Sequence, residues 1–154
     1  MDKLYPKRLR QITPQIKTET RKTQNSKNPL CYNGDLFSRQ DIDRILAEFP
    51  QVEAVMLGRG LVADPGMLLS GGTQIKALEQ FHDALLEEYL LLFGGSRNAM
   101  FRLKENWSYL LPRFENSEKL GKRLRKTTDV AEFKAITSEI FHTLPLAEKL
   151  PSDW

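Results

Sequence analysis

Apolar positions along this chain follow two different periods. Between residues 29 and 57 they form two short runs, Pro29–Tyr32 and Val52–Leu57, with a helical pattern between them. Ile42, Ile45, Leu46 and Phe49 take the i, i+3, i+4, i+7 spacing of one helix face. That spacing predicts a helix over residues 38–49 packed on a sheet. Ser38 with Asp41 resembles a capping box, Phe37 and Ile42 occupy the staple positions, and Pro50 stops the helix. Val52–Leu57 is apolar apart from Glu53, as expected of a parallel strand covered on both faces. Strand, helix and strand in about 30 residues make one βαβ unit. Such a crossover brings the carboxyl ends of both strands to one edge of the sheet, where α/β folds hold their ligands.

From Thr73 onward the period is helical only. Ile75, Leu78, Leu85, Leu86, Tyr89 and Phe93 mark one face of a helix over residues 73–93, ended by Gly94-Gly95. Ser96 is placed as the cap of a second helix reaching Leu111, with Met100, Leu103, Trp107, Leu110 and Leu111 on its core face. A third helix is expected over Ser117–Lys126. Asp129 with Glu132 opens a fourth, whose face is Phe133, Ile136, Ile140 and Leu144. Helices joined by short loops make an antiparallel bundle. The division falls at Gly71-Gly72, giving a leader over residues 1–28, an α/β part over 29–71 and a helical part over 72–154.

The turns that end the two strands carry the candidate chemistry. Asn33-Gly34-Asp35 includes a residue with no Cβ, so backbone N–H groups can approach an anion closely. Gly58-Arg59-Gly60 sets a guanidinium between two glycines, and its planar fork suits phosphate. Asp64-Pro65 reads as N-cap and first residue of another helix, whose amino end would lie near the same pocket. In (β/α)8 barrels the loops after the last two strands, with a short extra helix, form a common phosphate site.

Length changes this picture. The chain has 154 residues, and a whole (β/α)8 barrel needs at least about 200. The barrel reading therefore makes it a C-terminal piece. No apolar run approaches the roughly 18 residues of a membrane span, and no secretory apolar segment opens the chain. A single cysteine excludes an internal disulfide and a cysteine-based metal cluster, and a cytoplasmic home is the simplest reading. Cys31 is expected to pack as a small hydrophobe. His82 and His142 have no partner ligands at metal spacing and read as surface or boundary residues.

Charge is unevenly spread. The net charge is +3, yet residues 1–28 alone hold eight basic and two acidic residues. That leader has two prolines and room for a weak helix over Leu4–Ile12. It reads first as a poorly ordered basic arm and second as an electrostatic arm for RNA.

Tyr32-Asn33-Gly34-Asp35-Leu36, followed by Met56-Leu57-Gly58-Arg59-Gly60-Leu61-Val62-Ala63-Asp64-Pro65, resembles the end of the catalytic barrel of the tRNA-dihydrouridine synthases. The resemblance runs from residue 29 to about residue 150. It implies an α/β plus all-α chain: the last two βα units of an FMN-binding (β/α)8 (TIM) barrel, then a helical tRNA-binding bundle. It implies FMN as cofactor, with NADPH as reductant of the intact enzyme. It assigns the FMN phosphate to Asn33, Gly34, Asp35, Gly58 and Arg59. The family's catalytic cysteine lies far upstream of the Asn-Gly-Asp turn, and this chain has no counterpart. Arg102 and Lys104, with Trp107 nearby, fall where the family presents basic and aromatic side chains to tRNA. Trp107 keeps step with Met100 and Leu103 and reads as core. Lys119, Lys122, Arg123 and Arg125, with Lys126 beside them, form the stronger electrostatic candidate, although a solvated basic face explains them equally well.

Three functions compete. The first is a synthase fragment without turnover of its own, acting with tRNA and needing neither metal nor membrane. Its unpaired strand edges would invite self-association. The second is a non-enzymatic RNA-binding helical module. The third is a piece of another phosphate-binding barrel, against which the helical tail argues.

Overall fold

β1 (Leu30–Asn33) and β2 (Val52–Met56) pair in parallel, with Tyr32 opposite Val55 and Asn33 opposite Met56. The structure is a computed structural model, and it describes residues 28–147. The leader to Lys27, with the helix expected over Leu4–Ile12, and the tail from Glu148 lie outside the described residues.

The crossover between the strands is α1 (Arg39–Glu48). Ser38 caps it as expected, its hydroxyl accepting from the Asp41 N–H at 3.1 Å. The Asp41 carboxylate accepts in return from the Ser38 hydroxyl at 2.8 Å and from the Phe37 N–H at 3.2 Å. Ile42 and Ile45 bury their side chains with Tyr32, Leu36, Phe49, Val52 and Met67 in a first, small core.

Three expectations for this unit are corrected. Leu46 is 38% exposed rather than part of the buried stripe. Ala54 and Met56 of β2 are exposed, so the strand is covered on one face. Cys31 is exposed rather than packed as a small hydrophobe. One cause accounts for all three. Among the described residues the sheet has two strands and one covering helix. Neighbouring strands are only about 4.8 Å apart, so a full helix face overhangs the pair, and alternate strand residues point to the uncovered side.

The helical part is α3 (Ile75–Leu92), α4 (Ser96–Leu110), a 3-10 turn (Leu111–Arg113), α5 (Glu118–Lys126) and α6 (Val130–Thr143). These elements share a second core, in which Met100, Leu103, Trp107, Phe133, Ile136 and Ile140 are almost fully buried. Trp107 and Phe141 lie 5.5 Å apart between ring centroids, and Phe114 lies 5.5 Å from Phe141. Gly94 follows α3 at φ +58°, the left-handed position that ends a helix cheaply only when no Cβ is present. Ser96 is the first residue of α4, not its cap; Gly95 holds the cap position and makes no side-chain bond. Asp129 caps α6 through the Glu132 N–H at 2.8 Å.

Between the two cores lies α2 (Arg59–Ala63), which packs on α4 and on the 3-10 turn. Ala63 is wholly buried there. After α6 the chain returns to the same place: the Ala147 N–H donates to the Arg113 carbonyl at 2.8 Å. Among the described residues no helix is long and apolar enough to cross a membrane, and no cluster of His, Cys, Asp or Glu could hold a metal ion.

Candidate functional site

The parallel register sends the turns after β1 and β2 off the same edge of the sheet. They meet. The Arg59 guanidinium donates to the Asp35 carboxylate. Asn33, Gly34, Asp35, Gly58 and Arg59 together line a hollow of about 390 Å³. These are the five residues expected from the sequence to hold a phosphate.

Two glycines set this approach. A Cβ at Gly60 would lie 1.8 Å from the Leu36 carbonyl oxygen, so the first turn of α2 is pressed against the backbone that follows Asp35. A Cβ at Gly34 would lie 2.2 Å from the Tyr32 hydroxyl, so the first turn rests on the Tyr32 ring. Burial and then the Asp35 and Asp41 carboxylates raise the pKa of that phenol, keeping it neutral. At Gly58 a Cβ would meet no protein atom within 4 Å, and that position faces open space.

Arg59 is about half exposed while Asp35 is mostly covered. A guanidinium carries five N–H donors in a fork. The Asp35 bond uses Nη2, which holds the side chain over the hollow and leaves further donors for an anion.

Asp64-Pro65 does not begin a helix, contrary to expectation. Asp64 ends α2, its N–H donating to the Gly60 carbonyl at 2.9 Å, and residues 65–74 run as turns and coil. Its carboxylate is already engaged: it accepts from the Thr73 hydroxyl and pairs with Arg113 at 3.3 Å. The helix whose amino end borders the hollow is α2 itself.

The candidate RNA residues fall in two groups. Lys119, Lys122, Arg123 and Arg125 are exposed on α5, opposite its buried Leu120 and Leu124. Arg123 pairs with Glu139 at 2.9 Å. Arg102 is exposed on α4, paired with Glu105 at 3.1 Å and 6.0 Å above the Phe93 ring. Lys104 reaches across to the C-terminus of α5. Its ammonium donates to the Arg125 carbonyl at 3.2 Å and to the Thr127 carbonyl, and burial lowers its pKa. It completes orphan carbonyls at a helix end and ties α4 to the basic helix.

His82 is neither surface nor boundary. It is 3% exposed, packed within 5.4 Å of both the Trp107 and Phe141 rings. Burial lowers its pKa from the usual 6.5, opposed by the hydrogen bond and charge of Asp83 and by the charge of Glu79. The folded protein therefore resists protonating His82 while the unfolded chain does not. Stability is complete above the unfolded value and falls as pH drops below it, by at most about 1.4 kcal/mol per pH unit. Denaturant titrations from neutral to mildly acidic pH should show this loss, and His82→Phe should flatten it.

The family described as dihydrouridine synthase (Dus) matches residues 8–144. The chain belongs to the dihydrouridine synthase family. The match covers the hollow and all four longer helices after it, and begins within the basic leader, well upstream of residue 29. Dihydrouridine synthases are TIM-barrel oxidoreductases that act on tRNA and generally depend on FMN. Among its described residues this member shows a two-stranded parallel sheet and is otherwise mostly helical. No curated protein matches it.

One feature of the site had no expectation behind it. The Asp64–Arg113 pair joins residues far apart in sequence that carry no shared motif. His82, by contrast, had a signal: with Leu78 and Leu86 it sits at i, i+4, i+8 on the core stripe of α3.

Proposed function

We propose that this chain is the C-terminal part of a dihydrouridine synthase, comprising the end of the flavin barrel and the helical tRNA-binding part. The convergence of Asp35 and Arg59 over a hollow lined by five residues carries the reading. Those residues fit the phosphate end of FMN. Gly34 and Gly58 line the hollow without side chains of their own, and Arg59 supplies a positive fork already steered by Asp35. FMN, when bound, supplies the hydride that reduces the C5–C6 bond of uridine, and NADPH restores it. The chain carries no counterpart of the family's proton-donating cysteine, and Cys31 lies on β1 ahead of the hollow. The 154 residues alone are therefore proposed to bind the cofactor's phosphate end without turnover.

The exposed cations of α5, with Arg102, form the proposed tRNA face, and phosphate contacts make its binding steeply salt-dependent. Two separate apolar cores, one around Ile45 and one around Trp107, support the division into barrel and helical parts. A helical RNA module without catalysis is the second reading. It is favoured by the tie from Lys104 to α5, which holds both basic helices together in the absence of the barrel.

Flavin fluorescence titration tests the first reading. Arg59→Ala is expected to weaken FMN binding by about tenfold to a hundredfold, the worth of one charge-assisted hydrogen bond. Riboflavin, which lacks the phosphate, should bind both chains alike. Equal FMN affinity in the two chains would overturn the assignment.

A further inference from the structure

Phe101 stands on the surface of α4, 44% exposed. Two cations lie over its ring. The Arg97 guanidinium is 5.6 Å from the ring centroid and the Lys104 ammonium 5.5 Å. Arg97 and Phe101 are i and i+4 on the helix, and Phe101 and Lys104 are i and i+3, so the three share one side of α4.

The two cations are held differently. Lys104 is fixed by the Arg125 and Thr127 carbonyls, so it stays where it is. The same bonds set the last turn of α5, with the exposed Arg125 and Lys126, beside it. Arg97 is exposed, and among the described residues it has no carboxylate or carbonyl partner. The ring alone holds it. A cation–π contact at an exposed site is weak, so another flat group can take the place of Arg97 on Phe101. Arg125 and Lys126 likewise have no carboxylate partner among the described residues. The corner between α4 and α5 thus combines an accessible aromatic ring with positive charge that no acid balances.

We propose that Phe101 is a stacking platform for one unpaired base of an RNA strand, with Arg97 moving from the ring to an adjoining phosphate and Lys104 staying in place. A nucleotide matches both halves of the corner: its base has a flat face for the ring, and its phosphate takes the released guanidinium. An acidic peptide or an anionic lipid headgroup would match the charge and leave the ring unused. Every base has such a face, so the platform is tolerant of sequence. The proposal rests on the reading that the helical part binds tRNA, and it adds a base contact to a face that otherwise meets phosphates only. It does not depend on the FMN hollow.

Two labelled strands of equal charge test it: pentaadenylate, and the same ribose-phosphate pentamer without bases. Each is titrated into the 154-residue chain at low salt and followed by fluorescence anisotropy. The parent should bind pentaadenylate about tenfold more tightly than the abasic strand, the worth of one base–aromatic stack. Phe101→Leu keeps an apolar side chain at an exposed position, so its urea midpoint should match the parent's. It should lose that tenfold for pentaadenylate and bind the abasic strand as the parent does. A 2-aminopurine placed in the strand should be quenched by the parent and much less by Phe101→Leu. Arg97→Ala should flatten the slope of log affinity against log salt by about 0.7, one phosphate contact on a single strand. Equal affinity of parent and Phe101→Leu for pentaadenylate would overturn the platform, and the phosphate face would survive it if the abasic strand still binds. Absence of binding by either strand would sink the tRNA face and the platform together. An unchanged salt slope in Arg97→Ala would overturn the transfer of Arg97 to phosphate. Polyglutamate binding as tightly as pentaadenylate would mark a surface for acidic peptides and overturn the assignment to RNA.

Discussion

Replacing Gly60 by alanine is expected to lower the free energy of unfolding by about 3 kcal/mol, at the upper end of overpacking costs. The added methyl would meet the Leu36 carbonyl oxygen at 1.8 Å, with the Leu36 carbonyl carbon at 2.9 Å and the Phe37 Cα at 3.2 Å behind it. All three are backbone atoms, and none can swing aside as a flexible side chain would. Relief requires α2 to move away from the turn after β1. That movement parts Arg59 from Asp35 and opens the hollow, so FMN affinity should fall with stability. Gly58→Ala is the control. A Cβ there touches nothing within 4 Å, so the fold should hold while the methyl intrudes on the hollow. Urea denaturation and flavin titration of both variants make the comparison. A Gly60→Ala chain as stable as the parent would mean that the two turns do not touch in this way.

The meeting of these turns was legible because it needs only local chemistry and one rule of connection. Each turn announces itself through glycine, and a parallel crossover allows only one edge for both ends. Gly60 was visible as a glycine, but its reason was not: the atom it must avoid belongs to Leu36, and periodicity carries no information about that approach. Asp64-Pro65 shows a sharper limit. The same two letters suit a helix start, yet Asp64 ends α2, because Arg113 and Thr73 claim its carboxylate. Local pattern cannot rank a cap against a long-range ion pair. Leu46 and Cys31 show another limit, since periodicity marks which side of an element is apolar but not how wide its cover is. Trp107 was readable through its step with Met100 and Leu103, and His82 was misjudged by residue type although its spacing placed it on the core stripe. Lys104 was legible as a cation near Trp107, but not as a donor to carbonyls at the end of another helix.

Arg113→Met should cost about 3–5 kcal/mol, the usual loss when one partner leaves a buried ion pair. The Asp64 side chain is 9% exposed and that of Arg113 14%. Without the guanidinium, the carboxylate keeps the Thr73 hydroxyl but no positive charge near it. Asp64→Leu leaves Arg113 its bond to the Ala147 carbonyl at 2.7 Å, so its cost should be smaller. Removing both partners replaces a half-paired site with an apolar contact, which is often close to neutral. The double variant should therefore be more stable than the sum of the single losses allows, with a coupling of about 1–3 kcal/mol. The consequence reaches the hollow, because Asp64 ends the one-turn helix that Arg59 begins. With the latch gone, α2 is held to the helical part by apolar contact alone, and FMN affinity should drop in Arg113→Met although Arg113 does not line the hollow. Strict additivity in the urea-denaturation cycle, or unchanged FMN affinity in Arg113→Met, would mean that the pair holds neither the junction nor the phosphate grip.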